Sequence, residues 1–279
     1  MCFISIAIIA TFLAVLTIIF VRGNPVHYGY PAVNPSLWSN VSQMTIRERF
    51  SKLLKNFKTI FSHSNFWCIA ILVFFGNGSF YNVNGIWGGP FLKERLSYSN
   101  VKSSNALLGL SLGNNFGALL NPYVPDITCH SKKWTTFVFA LISITCCFPL
   151  AFCPEKLSFP IVVMLFTVFA ITSAGVGVIA YPLGIELFHP SRGASASGCL
   201  NCFAFLSSII FMPLTGKILE SFGTIPDTDG VHNPDGFKYG LWVFNIVGFS
   251  FGTFLFMFVR KPKKEDTLFD TVSNYGSIK

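Results

Sequence analysis

Long apolar runs alternate with short polar ones along the whole chain. Seven stretches, 2–21, 66–92, 104–124, 134–152, 159–183, 196–219 and 239–259, are nearly free of charged residues. A hydrocarbon layer about 30 Å thick is crossed by about 20 apolar residues in α-helix, so each stretch predicts a membrane span. The run at 2–21 has no basic residue ahead of it and no small-residue cleavage site behind it, which predicts a retained span rather than a cleaved leader. The runs at 66–92, 104–124, 159–183 and 196–219 are rich in Gly, Pro, Ser and Asn. Helices of that composition pack closely or border a polar cavity.

One further helix is predicted outside the spans. Over 42–62, Ile46, Phe50, Leu53, Leu54, Phe57, Ile60 and Phe61 recur at helical spacing, and the opposite face carries Arg47, Arg49, Lys52, Lys55 and Lys58. Thr45 with Glu48 three positions on is a capping-box pattern that starts such a helix. A basic amphipathic helix lies on an anionic lipid surface; a calmodulin-type target is the alternative reading.

Composition narrows the class. Of 279 residues, 52% are hydrophobic and 11% charged, whereas about 25% of a soluble domain is charged. An ordinary water-soluble globule is excluded. The formal charge of +8 invites a nucleic-acid reading, but such binders cluster their basic residues on one polar face, and no nucleic-acid partner is expected here. Fourteen Lys and Arg fall in 22–65, 125–133, 184–195 and after 259, against six at the other connections and span ends. The charge is a topology signal: it places the 22–65 segment and the C-terminus in the cytoplasm and the N-terminus outside. The Asn40 sequon is then cytoplasmic and unglycosylated. Among eight cysteines, Cys68, Cys146, Cys147, Cys199 and Cys202 lie in apolar runs, and Cys199 with Cys202 has no second pair or nearby histidine. Packing is expected of them, with no metal site.

The last six spans fall into two similar triplets. GIWGGPFLKER (85–95) and IAYPLGIELFHP (179–190) end the first span of each, and both predict helices interrupted by Gly and Pro. ALLGLSLGNNFGALLNPYVPD (106–126) and SASGCLNCFAFLSSIIFMPLTGKILE (195–220) form the second, each with small residues and asparagine before a proline. A three-plus-three repeat with an odd number of spans in each part is inverted, the plan of secondary-transporter halves. Gly109, Gly113 and Gly117, four apart, predict a face that another helix approaches closely.

These stretches resemble the C-terminal half of the major facilitator superfamily. GIWGGPFL is similar to the ending of the seventh helix in one branch of the family, and YPLGIELFHPSRGASASGCLN (181–201) to the connection between helices ten and eleven. PYVPDITCHSKK (122–133) resembles a degraded copy of the eight-to-nine loop, keeping Asp126, His130, Lys132 and Lys133 but lacking the usual Gly and Arg. The resemblance implies an all-α polytopic fold of seven transmembrane helices, matching family helices six to twelve. Residues 1–22 would be helix six, 23–65 the cytoplasmic linker with its basic helix at 42–62, 66–260 a six-helix inverted-repeat bundle, and 261–279 a cytoplasmic tail. The N-terminal half would be missing or supplied by a partner chain.

Polar residues in the spans are uncharged. Asn82, Asn84, Trp87, Asn114, Asn115, Tyr181 and Asn201 are candidates for a substrate path, alongside Asn77 and Tyr81. An amide in lipid needs a partner helix or a wet cavity. Asp126, Lys132, Lys133, Glu186 and Arg192 are candidates for a cytoplasmic gate, with Glu186 and Arg192 as its expected pair. No Ser/His/Asp, HExxH or paired-carboxylate arrangement appears in a span, and GVGVIA (175–180) lacks the setting of a dinucleotide site. The expectation is therefore a multi-pass membrane transporter of a small solute, neither an enzyme nor a cofactor binder, with the lipid bilayer as its surroundings. The alternatives are a non-transporting relic, a half-transporter subunit, or a seven-helix receptor.

Overall fold

The computed structural model describes residues 2–21, 45–128, 131–189, 192–226 and 230–260. Expectations about Asn40, His130 and the 261–279 tail lie outside the described residues. The chain divides into two compact units, 1–53 and 54–279.

The first unit holds α1 (Cys2–Phe20). Its side chains are apolar all round, as a lipid-facing span requires, and the hydroxyls of Thr11 and Thr17 donate to the carbonyls of Ala7 and Leu13 inside the helix. Helix α2 (Ile46–Phe61) begins in this unit. Its start is the expected capping box: the Thr45 amide and hydroxyl donate to Glu48 Oε2 at 2.8 and 2.9 Å, and the Glu48 amide reaches back to Thr45 Oγ1. Those bonds stabilise the anion and hold the Glu48 carboxyl below its ordinary range.

The second unit contains six helices of membrane length: α3 (Ser64–Arg95), α4 (Asn100–Leu120), α5 (Lys132–Phe152), α6 (Phe159–Ile185), α7 (Gly193–Phe222) and α8 (Pro234–Met257). Among the described residues, α1 and five of these six are both long and apolar enough to cross a membrane. Helix α4 has the length, 21 residues, but its asparagines and serines lower its apolarity. A 3₁₀ turn at Asn121–Tyr123 ends it where Pro122 withholds an amide.

Helix α3 corrects one expectation. It runs unbroken from Ser64 to Arg95, because its turns widen to π-helix at Asn82–Trp87 and again at Phe91–Arg95. Within a membrane every backbone group must stay bonded, and a wider turn accommodates Gly88, Gly89 and Pro90 without a break. The Gly88 amide bonds the Val83 carbonyl, and a Cβ on Gly88 would stand 2.4 Å from that oxygen. Helix α6 is likewise continuous through Pro182, whose carbonyl accepts from the Glu186 amide at 2.9 Å.

Packing between the triplets is reciprocal. Helix α3 packs against α7 and α8, while α6 packs against α4 and α5, and α3 and α6 touch each other. The two lead helices run in opposite directions. Asn65 at the start of α3 and Glu186 just past the end of α6 lie at one end of the bundle, tied to Arg260 and Lys132 respectively. At the other end the Arg95 guanidinium pairs with Glu155, and Tyr98 packs edge-on against Phe159 at the start of α6. Burial against Phe159 raises the Tyr98 phenol above its usual range. Between the ends lies an aromatic core centred on Trp242, fully buried, with Phe91 and Phe166 at ring distances of 5.1 and 5.9 Å.

Gly109, Gly113 and Gly117 face α6. A Cβ on Gly109 would meet the Thr167 hydroxyl and Val163 Cγ1 at 3.1 Å, whereas on Gly113 and Gly117 it would meet the backbone oxygens of Thr167 and Ile171 at 2.7 Å. Glycines one turn apart on α4 therefore sit over residues one turn apart on α6.

Candidate functional site

The candidate path residues separate into two sets. Asn82 is fully buried, and its Nδ2 donates to Thr215 Oγ1 at 2.8 Å; Thr215 donates in turn to the Gly240 carbonyl at 3.0 Å. Gly240 belongs to the π-helical stretch Phe237–Val243 of α8. This relay ties α3, α7 and α8 together. Trp87 is also interhelical, its indole N–H donating 2.9 Å to the Met212 carbonyl while the ring covers Gly216. Asn82 and Trp87 thus bind neighbouring helices.

The second set is exposed or half-buried. Ser111 of α4 donates to Asn84 Oδ1 at 3.1 Å, and Asn115 Nδ2 is satisfied by the Ser111 carbonyl at 2.9 Å. Asn114 is half-buried on α4 beside them. Tyr181 of α6 donates to Asn201 Oδ1 of α7 at 3.3 Å. Tyr81, one turn before Asn84 on α3, stacks on Phe205, one turn after Asn201 on α7, with ring centroids 6.1 Å apart. Tyr81, Tyr181, Asn201 and Phe205 therefore form one wall contributed by α3, α6 and α7, with Asn84 one turn further along α3 and bonded to α4.

At the end that carries Lys132, the expected Glu186–Arg192 pair is corrected. Glu186 pairs with Lys132, which opens α5 alongside the end of α6. Arg192 is instead the N-cap residue of α7. Lys133 donates to the Met257 and Val259 carbonyls at 2.6 and 2.7 Å, closing the C-terminus of α8. Asp126 is exposed on a short helical turn, Val124–Ile127.

Several bonds were not legible beforehand. Asn121, buried at the end of α4, donates to the Ile171 carbonyl at 2.7 Å. At the other end of the bundle, Glu94 Oε2 accepts from the His232 amide at 2.9 Å and meets its Nδ1 at 2.8 Å, with the His232 ring against Trp87. The polar asparagine before Pro122 and the charged close of α3 were the only signals in the sequence. Among the described residues, no group of three or more His, Cys, Asp and Glu side chains converges as a metal site would need.

The helices make the chain an integral, multi-pass, all-α membrane protein. No family model matches it. Over 47 residues, 17% of the chain, it is 40% identical to the protein named Choline/ethanolamine transporter flvcr2b of Danio rerio, a match spanning 10% of that protein's length.

Proposed function

We propose that this chain is the C-terminal half of a major facilitator transporter, preceded by the family's sixth helix and central linker, and that it moves a small amphipathic solute by alternating access. The observation that carries this is the reciprocal packing of α3 on α7 and α8 and of α6 on α4 and α5, with the lead helices antiparallel. An inverted repeat of three plus three helices is the plan of each half in that family. On this reading the bundle occupies 66–260, the charge bias puts its Lys132 end in the cytoplasm, and the opposing wall of the cavity belongs to an N-terminal half or partner chain.

The solute is a small amino alcohol. Tyr81, Tyr181 and Phe205 stand with the amides of Asn84 and Asn201, and no charged side chain is among them. Aromatic faces attract organic ammonium groups, and the short match is to a choline/ethanolamine transporter. Vesicles holding the protein together with its opposing half are expected to take up radiolabelled choline or ethanolamine saturably, and millimolar choline to raise the melting temperature of the protein. Tyr181→Ala is expected to lower both responses about tenfold, the order of one lost hydrogen bond or cation–π contact. Neither uptake nor thermal stabilisation by either amine would overturn the reading.

Glu186 and Lys132 serve as a cytoplasmic latch. Their side chains are 38% and 41% exposed, so the pair is worth about 1 kcal/mol or less. That suffices to bias two conformations about fivefold. In the full-length assembly with its opposing half, Glu186→Lys is expected to shift the outward/inward population, read by cysteine-labelling accessibility, by about that factor, and adding Lys132→Glu to restore it. An unaltered distribution in Glu186→Lys would remove the latch.

A further inference from the structure

We infer that the second half of α2 is a binding site for anionic phospholipid, seating a headgroup phosphate between Lys55, Lys58 and the turn that leads into α3. Helix α2 is anchored by its last turn: Ile60 is fully buried, and Phe61 packs against Phe66, Trp67 and Phe203. Leu54, one turn earlier than Phe57 and Lys58 on the helix, is 53% exposed, and Phe50 before it 60%. Among the described residues, none covers the apolar side of the helix at Leu54 and Phe50.

Lipid is the occupant that fits. Only two residues separate α2 from the membrane-spanning α3, so the helix lies at the rim of the hydrocarbon layer. Trp67, 39% exposed, donates its indole N–H to the Phe61 carbonyl at 2.7 Å, the posture of an interfacial tryptophan with one end apolar and one end wet. When an amphipathic helix sinks its apolar side to the acyl boundary, its polar side comes level with the headgroups. That polar side carries Arg47, Arg49, Lys52, Lys55 and Lys58 against the single acid Glu48, whose charge is already engaged by Thr45.

The turn after the helix provides a seat. Lys58, Thr59, Ser62 and His63 line a surface depression of about 420 Å³. The His63 ring closes one side of it, held edge-on against Phe188 with ring centroids 5.4 Å apart. The carbonyl end of a helix ordinarily repels an anion, but here Ser62 covers the Lys58 carbonyl, Thr59 the Lys55 carbonyl and Trp67 the Phe61 carbonyl.

The test is native mass spectrometry of the detergent-solubilised protein titrated separately with phosphatidylserine and phosphatidylcholine. Phosphatidylserine is expected to bind about tenfold more tightly. Removing two basic residues by K55Q/K58Q is expected to weaken its binding about thirtyfold, because each contributes about fivefold at an anionic surface, and to weaken phosphatidylcholine, whose own ammonium offsets the same phosphate, by much less. Raising ammonium acetate to about 0.5 M should abolish the preference in the unmodified protein by screening, so the outcome does not depend on the variant folding. Equal affinity for the two lipids, a preference that survives high salt, or a correctly folded K55Q/K58Q that retains its phosphatidylserine affinity would each overturn the inference. Displacement by inorganic phosphate at about 10 mM would overturn it too, by marking a soluble-phosphate site.

Discussion

Alanine at Gly113 or Gly117 is expected to destabilise the bundle by about 1–3 kcal/mol, the range for inserting atoms into a packed interface, while alanine at Gly109 costs less than about 1 kcal/mol. The difference comes from what each new methyl meets. At Gly113 and Gly117 it is the α6 backbone at 2.7 Å, which moves only if the whole helix moves; at Gly109 it is a threonine hydroxyl and a valine methyl at 3.1 Å, which yield by small rotations. Leucine at Gly113 has no accommodation short of parting α4 from α6. Reversible unfolding in mixed micelles measures the series, and equal costs at all three positions would show that the glycines do not set the approach of these helices.

Thr215→Val is expected to cost about 1–3 kcal/mol although it changes little volume, because it strips the centre from a buried relay. Thr215 is fully buried, accepts from Asn82 Nδ2 and donates to the Gly240 carbonyl, and this is the one side-chain bond of an Asn82 amide whose Oδ1 is buried without a partner among the described residues. With valine there, the Asn82 amide loses its bond. Replacing Asn82 by leucine as well removes that orphan, so the double variant should be more stable than the sum of the two single losses predicts, by about 0.5–2 kcal/mol. Additive losses would mean that the two side chains do not act as a unit. The helix-helix bonds of membrane proteins are often modest, and this one is expected near the upper end because no water reaches it.

The same contrast between local and distant causes explains which parts of the site were readable. Thr45 and Glu48 announced their capping box because both partners lie within one turn. Gly and Pro near Trp87 announced a disturbance in α3, but not its form. A break and a widened turn begin from the same residues, and only the need to keep the buried backbone bonded selects the π-helix. Glu186 was recognised as a charge at a helix junction, yet its partner Lys132 is 54 residues away and lay outside any local pattern.

By itself the sequence determined the helical class, the positions of the spans, the capped basic helix and the glycine face of α4. Each follows from terms that accumulate along a short segment: the transfer of apolar side chains into hydrocarbon, the bonding of a helix end, the absence of a Cβ at four-residue intervals. Tertiary structure alone decided that Asn82 and Trp87 join helices while Tyr81, Tyr181 and Asn201 form an open wall. All are similar polar or aromatic residues at similar depths in apolar helices. Whether such a side chain is bonded within the bundle or left on its surface depends on which helix lies beside it and at what height, and that is fixed by the packing of different helices, from 20 residues apart for Tyr181 and Asn201 to 133 for Asn82 and Thr215.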